Sequence, residues 1–128
     1  MIIAVDFDGT LVEHAYPEIG AELDGAFQCL MQLQAAGAQL ILWTMRSGLE
    51  LEEAVAFCRE RGVNFWGVNK NPTQSSWTNS PKAYAQLYID DAAAGTPVQW
   101  TERVNRYSVD WETLTPILTR ITGVSISR

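Results

Sequence analysis

The stretch Ile2 to Thr10, IIAVDFDGT, decides the fold. Four apolar residues run directly into Asp6, Phe7, Asp8, Gly9 and Thr10. A short, continuously apolar run of this kind reads as a strand buried on both faces, as in a parallel sheet covered on either side. Gly9 breaks the strand pattern and lets the backbone turn sharply. Two carboxylates, Asp6 and Asp8, are thereby left at the carboxyl end of a central strand, where open α/β sheets bind their ligands. Close together and partly withdrawn from water, they need protonation or a cation to relieve their repulsion. An Asp can attack phosphorus to form an aspartyl-phosphate. A second one two residues on lies near enough to exchange a proton with a leaving group.

Outward from this stretch, the chain alternates strands and helices. After a loop punctuated by Pro17 and Gly20, Leu23, Ala26, Phe27, Leu30 and Leu33 recur at helical spacing up to a stop at Gly37. Ala38 to Trp43 reads as the second strand, followed by Thr44, Met45 and Arg46. Ser47 and Glu50 match a capping box that opens a second helix, with Leu51, Ala54, Val55 and Cys58 on its core face and Gly62 at its end. Val63 to Val68 reads as a third strand. Residues 69–81 lack either period and read as a loop, and Lys82 to Gln86 as a short helical turn. Leu87, Tyr88 and Ile89 make a fourth strand closed by Asp90 and Asp91. Val98 to Trp100 reads as a fifth, edge strand. Leu114, Ile117, Leu118 and Ile121 mark a last helix that admits Pro116 only near its first turn. Right-handed crossovers then give one α/β domain over residues 1–122, a three-layer Rossmann-like unit with a mainly parallel sheet and helices on both faces. The tail, residues 123–128, is expected to fray.

The bulk properties exclude several classes. At 128 residues the chain is one domain with room for a real core. A net charge of −6 argues against general nucleic-acid binding through a basic surface. With no basic leader and no long apolar segment, neither a signal peptide nor a membrane span is expected. Cys29 and Cys58 fall on apolar helix positions, which fits buried free thiols in a cytoplasmic protein better than a disulfide.

The D-x-D-G-T-L run at 6–11 resembles the first motif of the haloacid-dehalogenase-like (HAD) phosphatase superfamily, matched at every position through Leu11. Thr44, closing the second strand, is similar to the second motif. Lys82, ahead of the fourth strand, looks like the third, with Lys70, the chain's other lysine, as the fallback. Asp90-Asp91 resembles the fourth. The resemblance implies a Mg²⁺-dependent phosphomonoester hydrolase with Asp6 as nucleophile and Asp8 as general acid and base. Thr44 and Lys82 would steady the phosphoryl group, with Asp6, the Asp8 backbone carbonyl and Asp90 on the metal and Asp91 in support. Gly9, Thr10, Met45, Arg46 and His14 are the candidate substrate contacts; Glu13, Tyr16 and Trp77 lie in loops beside them.

Neither of the places where such proteins insert a cap domain holds more than a helix or a loop. That resembles the small capless members, whose open sites admit larger phosphorylated substrates or are covered by a partner subunit, as in a homodimer. Ala92, Ala93 and Ala94 stand where a polar or basic residue is expected, leaving the site less positive. Two other readings use the same residue types: a receiver-like module that accepts a phosphoryl group, and a binder of phosphorylated ligands without turnover. The absence of an Asp closing the third strand argues against the receiver.

Overall fold

A computed structural model describes residues 1–127. Four strands, β1 (Ile2–Val5), β2 (Gln39–Leu42), β3 (Gly67–Val68) and β4 (Leu87–Ile89), form a parallel sheet in the order β3-β2-β1-β4. Helices α1 (Ala26–Ala35), α2 (Gly48–Glu60) and α3 (Trp111–Thr122) complete the α/β domain. Among the described residues no cap domain interrupts it.

Strand alternation separates two cores. Ile3 and Val5 of β1 and Leu40 and Leu42 of β2 face Phe27, Leu30 and Leu33 of α1, Ala54 and Cys58 of α2, and Trp111, Leu114 and Leu118 of α3. Ala4 and Ile41 face the other way, onto Ala83 and Ala85, with Trp43, Trp66 and Tyr88 around them. The expectation of helices on both faces is therefore corrected. All three helices cover one face, and the third layer is the segment between β3 and β4, whose only helical element is a 3-10 turn at Gln74–Ser76.

That irregular layer is ordered by two buried amides. Asn71 donates to the Tyr84 carbonyl and accepts from the backbone and hydroxyl of Thr73. Gln74 donates to the carbonyls of Ser80 and Lys82 and accepts from the Tyr84 amide. These bonds satisfy the backbone without a regular element, so the helical turn expected at Lys82 to Gln86 does not form. The third strand shrinks from the expected Val63 to Val68 to two residues, because Val63 turns into the helical core while Trp66 turns to the opposite face.

The expected edge strand instead pairs antiparallel with an unforeseen neighbour. β5 (Val98–Thr101) and β6 (Arg106–Val109) form a separate hairpin. It is fastened to the first loop where the Val109 amide donates to the Gly9 carbonyl (2.9 Å) and Arg103 pairs with Glu13 (2.7 Å). Pro116 lies in the second turn of α3, not the first. The helix starts earlier because Asp110 accepts from the Thr113 amide as its N-cap and buried Trp111 anchors the first turn. Ser47 is the N-cap position of α2, but no side-chain capping bond forms there. Residues 123–127 are docked, not frayed: Gln32 of α1 brackets Ser127, donating to its carbonyl (2.6 Å) and accepting from its amide (2.8 Å). Among the described residues, no helix is long and apolar enough to cross a membrane. Cys29 and Cys58 are buried and free, and burial pushes their thiols up to about 11 and about 12.

Candidate functional site

The chain leaves β1 toward β2 on one side and reaches β4 on the other, so the crevice beyond β1 and β4 is the topological switch point of the sheet. Asp6 follows β1, and Asp90 and Asp91 follow β4. The Asp6 amide extends the ladder by donating to the Ile89 carbonyl (2.9 Å). One carboxylate oxygen from each of Asp6, Asp90 and Asp91 lies within 4.8 Å of the other two.

The loop after Asp6 holds this cluster. Thr10, fully buried, donates its hydroxyl to Asp6 Oδ2 (2.9 Å) and accepts from the Asp91 amide (3.1 Å), tying both strand ends together. His14 Nε2 lies 2.9 Å from Asp91 Oδ2. Gly9 has φ +79°, and a Cβ there would run into His14 Nε2 and Asp91 Oδ2. Only glycine permits both the turn and the close approach of these side chains.

Burial and the neighbouring Asp90 and Asp91 push the Asp6 carboxyl up from 3.8 to about 8. Burial, with Asp91 beside it, also pushes Asp90 upward. Three hard oxygen donors whose mutual repulsion is relieved only by a proton or a cation fit a divalent ion such as Mg²⁺. Asp6 and Asp90 line the adjoining cavity and would hold the ion directly, while Asp91 is engaged by His14 and Thr10.

That cavity, of about 320 Å³, is lined by Asp6, Trp43, Thr44, Met45, Asn69 and Asp90. Asp6, Thr44, Met45 and Asp90 were expected at a common site and are brought together. Met45 stands 98 % exposed at the rim. The Arg46 amide donates to Thr44 Oγ1 (3.1 Å), while the Thr44 amide donates to Asn69 Oδ1 (2.8 Å).

Arg46, Asp8 and Lys82, all expected at the site, lie outside this cavity's lining. Arg46 is not available to a phosphoryl group as it stands. It is 2 % exposed, and all five of its N–H donors are engaged: two with Asp8 (2.8 and 2.9 Å) and three with the carbonyls of Pro17, Glu18 and Glu50. Asp8 consequently has both carboxylate oxygens on Arg46 and does not line the cavity. Lys82 forms no ion pair with Asp6, Asp90 or Asp91; its ammonium lies 5.4 Å from the centre of the Tyr88 ring, over the sheet's second face. The segment that carries it is held by Gln74, not wound into a turn aimed at the cluster. The fallback Lys70 lines a separate cavity within the β3–β4 segment.

Of the neighbouring loop residues, Glu13 is paired with Arg103, Tyr16 lies 5.2 Å beneath the Arg46 guanidinium, and Trp77 packs edge-on against Tyr84 and does not line the cavity. Trp43 and Asn69 line the cavity without having been singled out in the sequence. An Asn directly after a strand, able to adopt left-handed backbone, was the one available signal for the second.

Fold and site together define an α/β protein with an acidic cluster at the switch point of a parallel sheet. No protein-family model and no curated protein matches the sequence. A solved structure of a conserved protein from Bacteroides thetaiotaomicron is similar at 39 % identity and a TM-score of 0.77, covering 94 % of this chain and 91 % of that one. The chain belongs to the family of that conserved protein.

Proposed function

We propose that the protein is a Mg²⁺-dependent phosphomonoester hydrolase of the HAD type, acting through Asp6. The observation that carries this reading is the convergence of Asp6, Asp90 and Asp91 within 4.8 Å at the sheet's switch point, beside a cavity that also presents Thr44. Thr10 fixes the rotation of the Asp6 carboxylate toward its task as nucleophile. An Asp6 oxygen attacks phosphorus, the bond to the ester oxygen breaks, and the leaving oxygen takes a proton from Asp8. Water, losing a proton to Asp8, then attacks phosphorus, and the Asp6–phosphorus bond breaks to release phosphate. Mg²⁺, when bound, supplies neutralising charge between the carboxylates and the phosphoryl oxygens. For Asp8 to serve, its pair with Arg46 must open. Free buried thiols suit a reducing, cytoplasmic setting.

The test is phosphate release from a panel of phosphomonoesters with and without Mg²⁺. Metal-dependent turnover abolished by Asp6→Asn is the expected result; turnover that survives the substitution sinks the reading.

Two observations favour a second reading, a phosphoryl-accepting or phosphate-ligand-binding module without turnover. Both Asp8 oxygens are committed to Arg46, and no basic side chain lines the cavity. Mg²⁺-dependent binding of phosphorylated ligands, with no release of phosphate from any of them, supports that alternative.

A further inference from the structure

On the phosphoester reading, the cavity beside Asp6 takes a phosphoryl group with no cationic side chain in its lining, which leaves neutral protein donors to meet phosphoryl oxygens that the metal does not. Asn69 is built for that. It follows β3, and its amide continues the ladder by donating to the Leu42 carbonyl (2.7 Å). The chain then folds back so that the Lys70 carbonyl crosses over Gly67, where any Cβ would collide with it. This turn holds Asn69 at φ +55°, a conformation that Asn tolerates better than most residues.

The orientation of the carboxamide follows from its partner. A backbone N–H can only donate, so the atom that the Thr44 amide reaches at 2.8 Å is the Asn69 oxygen, and Nδ2 is the other branch. Among the described residues no protein acceptor meets Nδ2 or the Thr44 hydroxyl proton; Thr44 Oγ1 accepts from the Arg46 amide and keeps its own proton free to donate. Two uncommitted donors, mechanically linked through the Thr44 amide, thus belong to side chains that line the same cavity as Asp6.

We propose that Asn69 is a phosphoryl-binding residue: its Nδ2–H, alongside the Thr44 hydroxyl, donates to a non-bridging phosphoryl oxygen. The assignment rests on the phosphoester reading of the site. It makes Asn69 a neutral contributor to a task expected of lysine or arginine.

Two variants separate the donor from its surroundings. Asn69→Asp keeps the acceptor for the Thr44 amide but removes the donor; Asn69→Gly removes both while accepting the left-handed backbone without strain. Orthophosphate binding in the presence of Mg²⁺ is titrated by calorimetry for the wild-type chain and both variants. Loss of a hydrogen bond to a charged ligand predicts affinity about 10–100-fold weaker in both, with Mg²⁺ binding retained. Weakening in Asn69→Gly alone means that Asn69 only braces Thr44, and weakening in Asn69→Asp alone means that added charge is responsible; either overturns the proposal. A wild-type chain that binds no orthophosphate overturns it too. Ester turnover, measured in parallel, tests the underlying reading separately. Hydrolysis with unchanged phosphate affinity in both variants removes Asn69 and leaves the hydrolase. Phosphate binding weakened in both variants without hydrolysis by the wild type leaves Asn69 and removes the hydrolase.

Discussion

Arg46 and Asp8 form a forked ion pair, with Nε 2.9 Å from one carboxylate oxygen and Nη2 2.8 Å from the other. The guanidinium is buried between the rings of Phe7 and Tyr16 (5.0 and 5.2 Å from its carbon) and also ties the carbonyls of Pro17, Glu18 and Glu50 to the same point. One side chain thereby holds the loop after β1 against the start of α2.

Arg46→Met keeps most of the stem and removes every donor. It leaves a partly buried carboxylate and three carbonyls without their partner, and a loss of about 3–5 kcal/mol in unfolding free energy is expected from urea titration. Arg46→Lys should recover only part of this, because an ammonium cannot fork across both Asp8 oxygens. A loss below about 1 kcal/mol for the Met variant would show that the pair does not brace the loop.

The raised Asp6 carboxyl makes stability depend on pH in a defined direction. Between 3.8, its ordinary value, and about 8, the folded chain holds a proton that the unfolded chain has released. The contribution is therefore fully present below about pH 4 and lost as pH rises toward and through 8. Asp90, also shifted upward, acts with the same sign. Without divalent metal, Asp6→Asn should match the wild type near pH 4 and exceed it by a few degrees in Tm above pH 8. Thermal unfolding of both proteins across that range checks it, and a difference independent of pH refutes it.

Mg²⁺ should stabilise the wild type at pH 8 in proportion to the logarithm of its concentration above the dissociation constant, since only the folded chain gathers the three carboxylates. The same additions should leave the Tm of Asp90→Asn nearly unchanged. Equal shifts in the two proteins would place the ion elsewhere.

Cys29 and Cys58 should resist thiol reagents in the native state at pH 8, being buried and held at about 11 and about 12. Both should react within the dead time once the chain is unfolded in guanidinium. Rapid labelling of the folded protein would mean that α1 and α2 open far more readily than their packing implies.

Met45 is almost free of protein contact at the cavity rim. Met45→Ala should change Tm by less than about 1 °C, as exposed substitutions do. Any effect should fall on the KM for esters with bulky apolar leaving groups, measured beside a small ester as control. A large stability loss would contradict the exposure.

Much of the domain was legible in the residues alone, because local periodicity and buried packing agree there. IIAV followed by D-x-D-G-T identified a buried strand ending at a turn, and AQLILW and LYIDD behaved alike, so the α/β class and the clustering of Asp6, Asp90 and Asp91 followed from strands that must lie parallel. Gly9 was recoverable as the residue at a sharp turn, whereas Thr10, expected to touch substrate, instead ties Asp6 to the Asp91 amide. What the sequence could not determine were interactions that depend on long, flexible or irregular chain. Whether Arg46 reaches a ligand or Asp8, whether Lys82 meets Asp6 or lies over Tyr88, and which way the Asn69 amide faces are choices among partners distant in sequence. The segment between β3 and β4 carries no hydrophobic period, because it is held by the buried amides of Asn71 and Gln74, and β6 (RYSV) alternates over too few residues to stand out until it pairs with β5. Apolar patterning records which face of an element is buried; the pairing of polar groups is decided only when the tertiary fold brings them within reach.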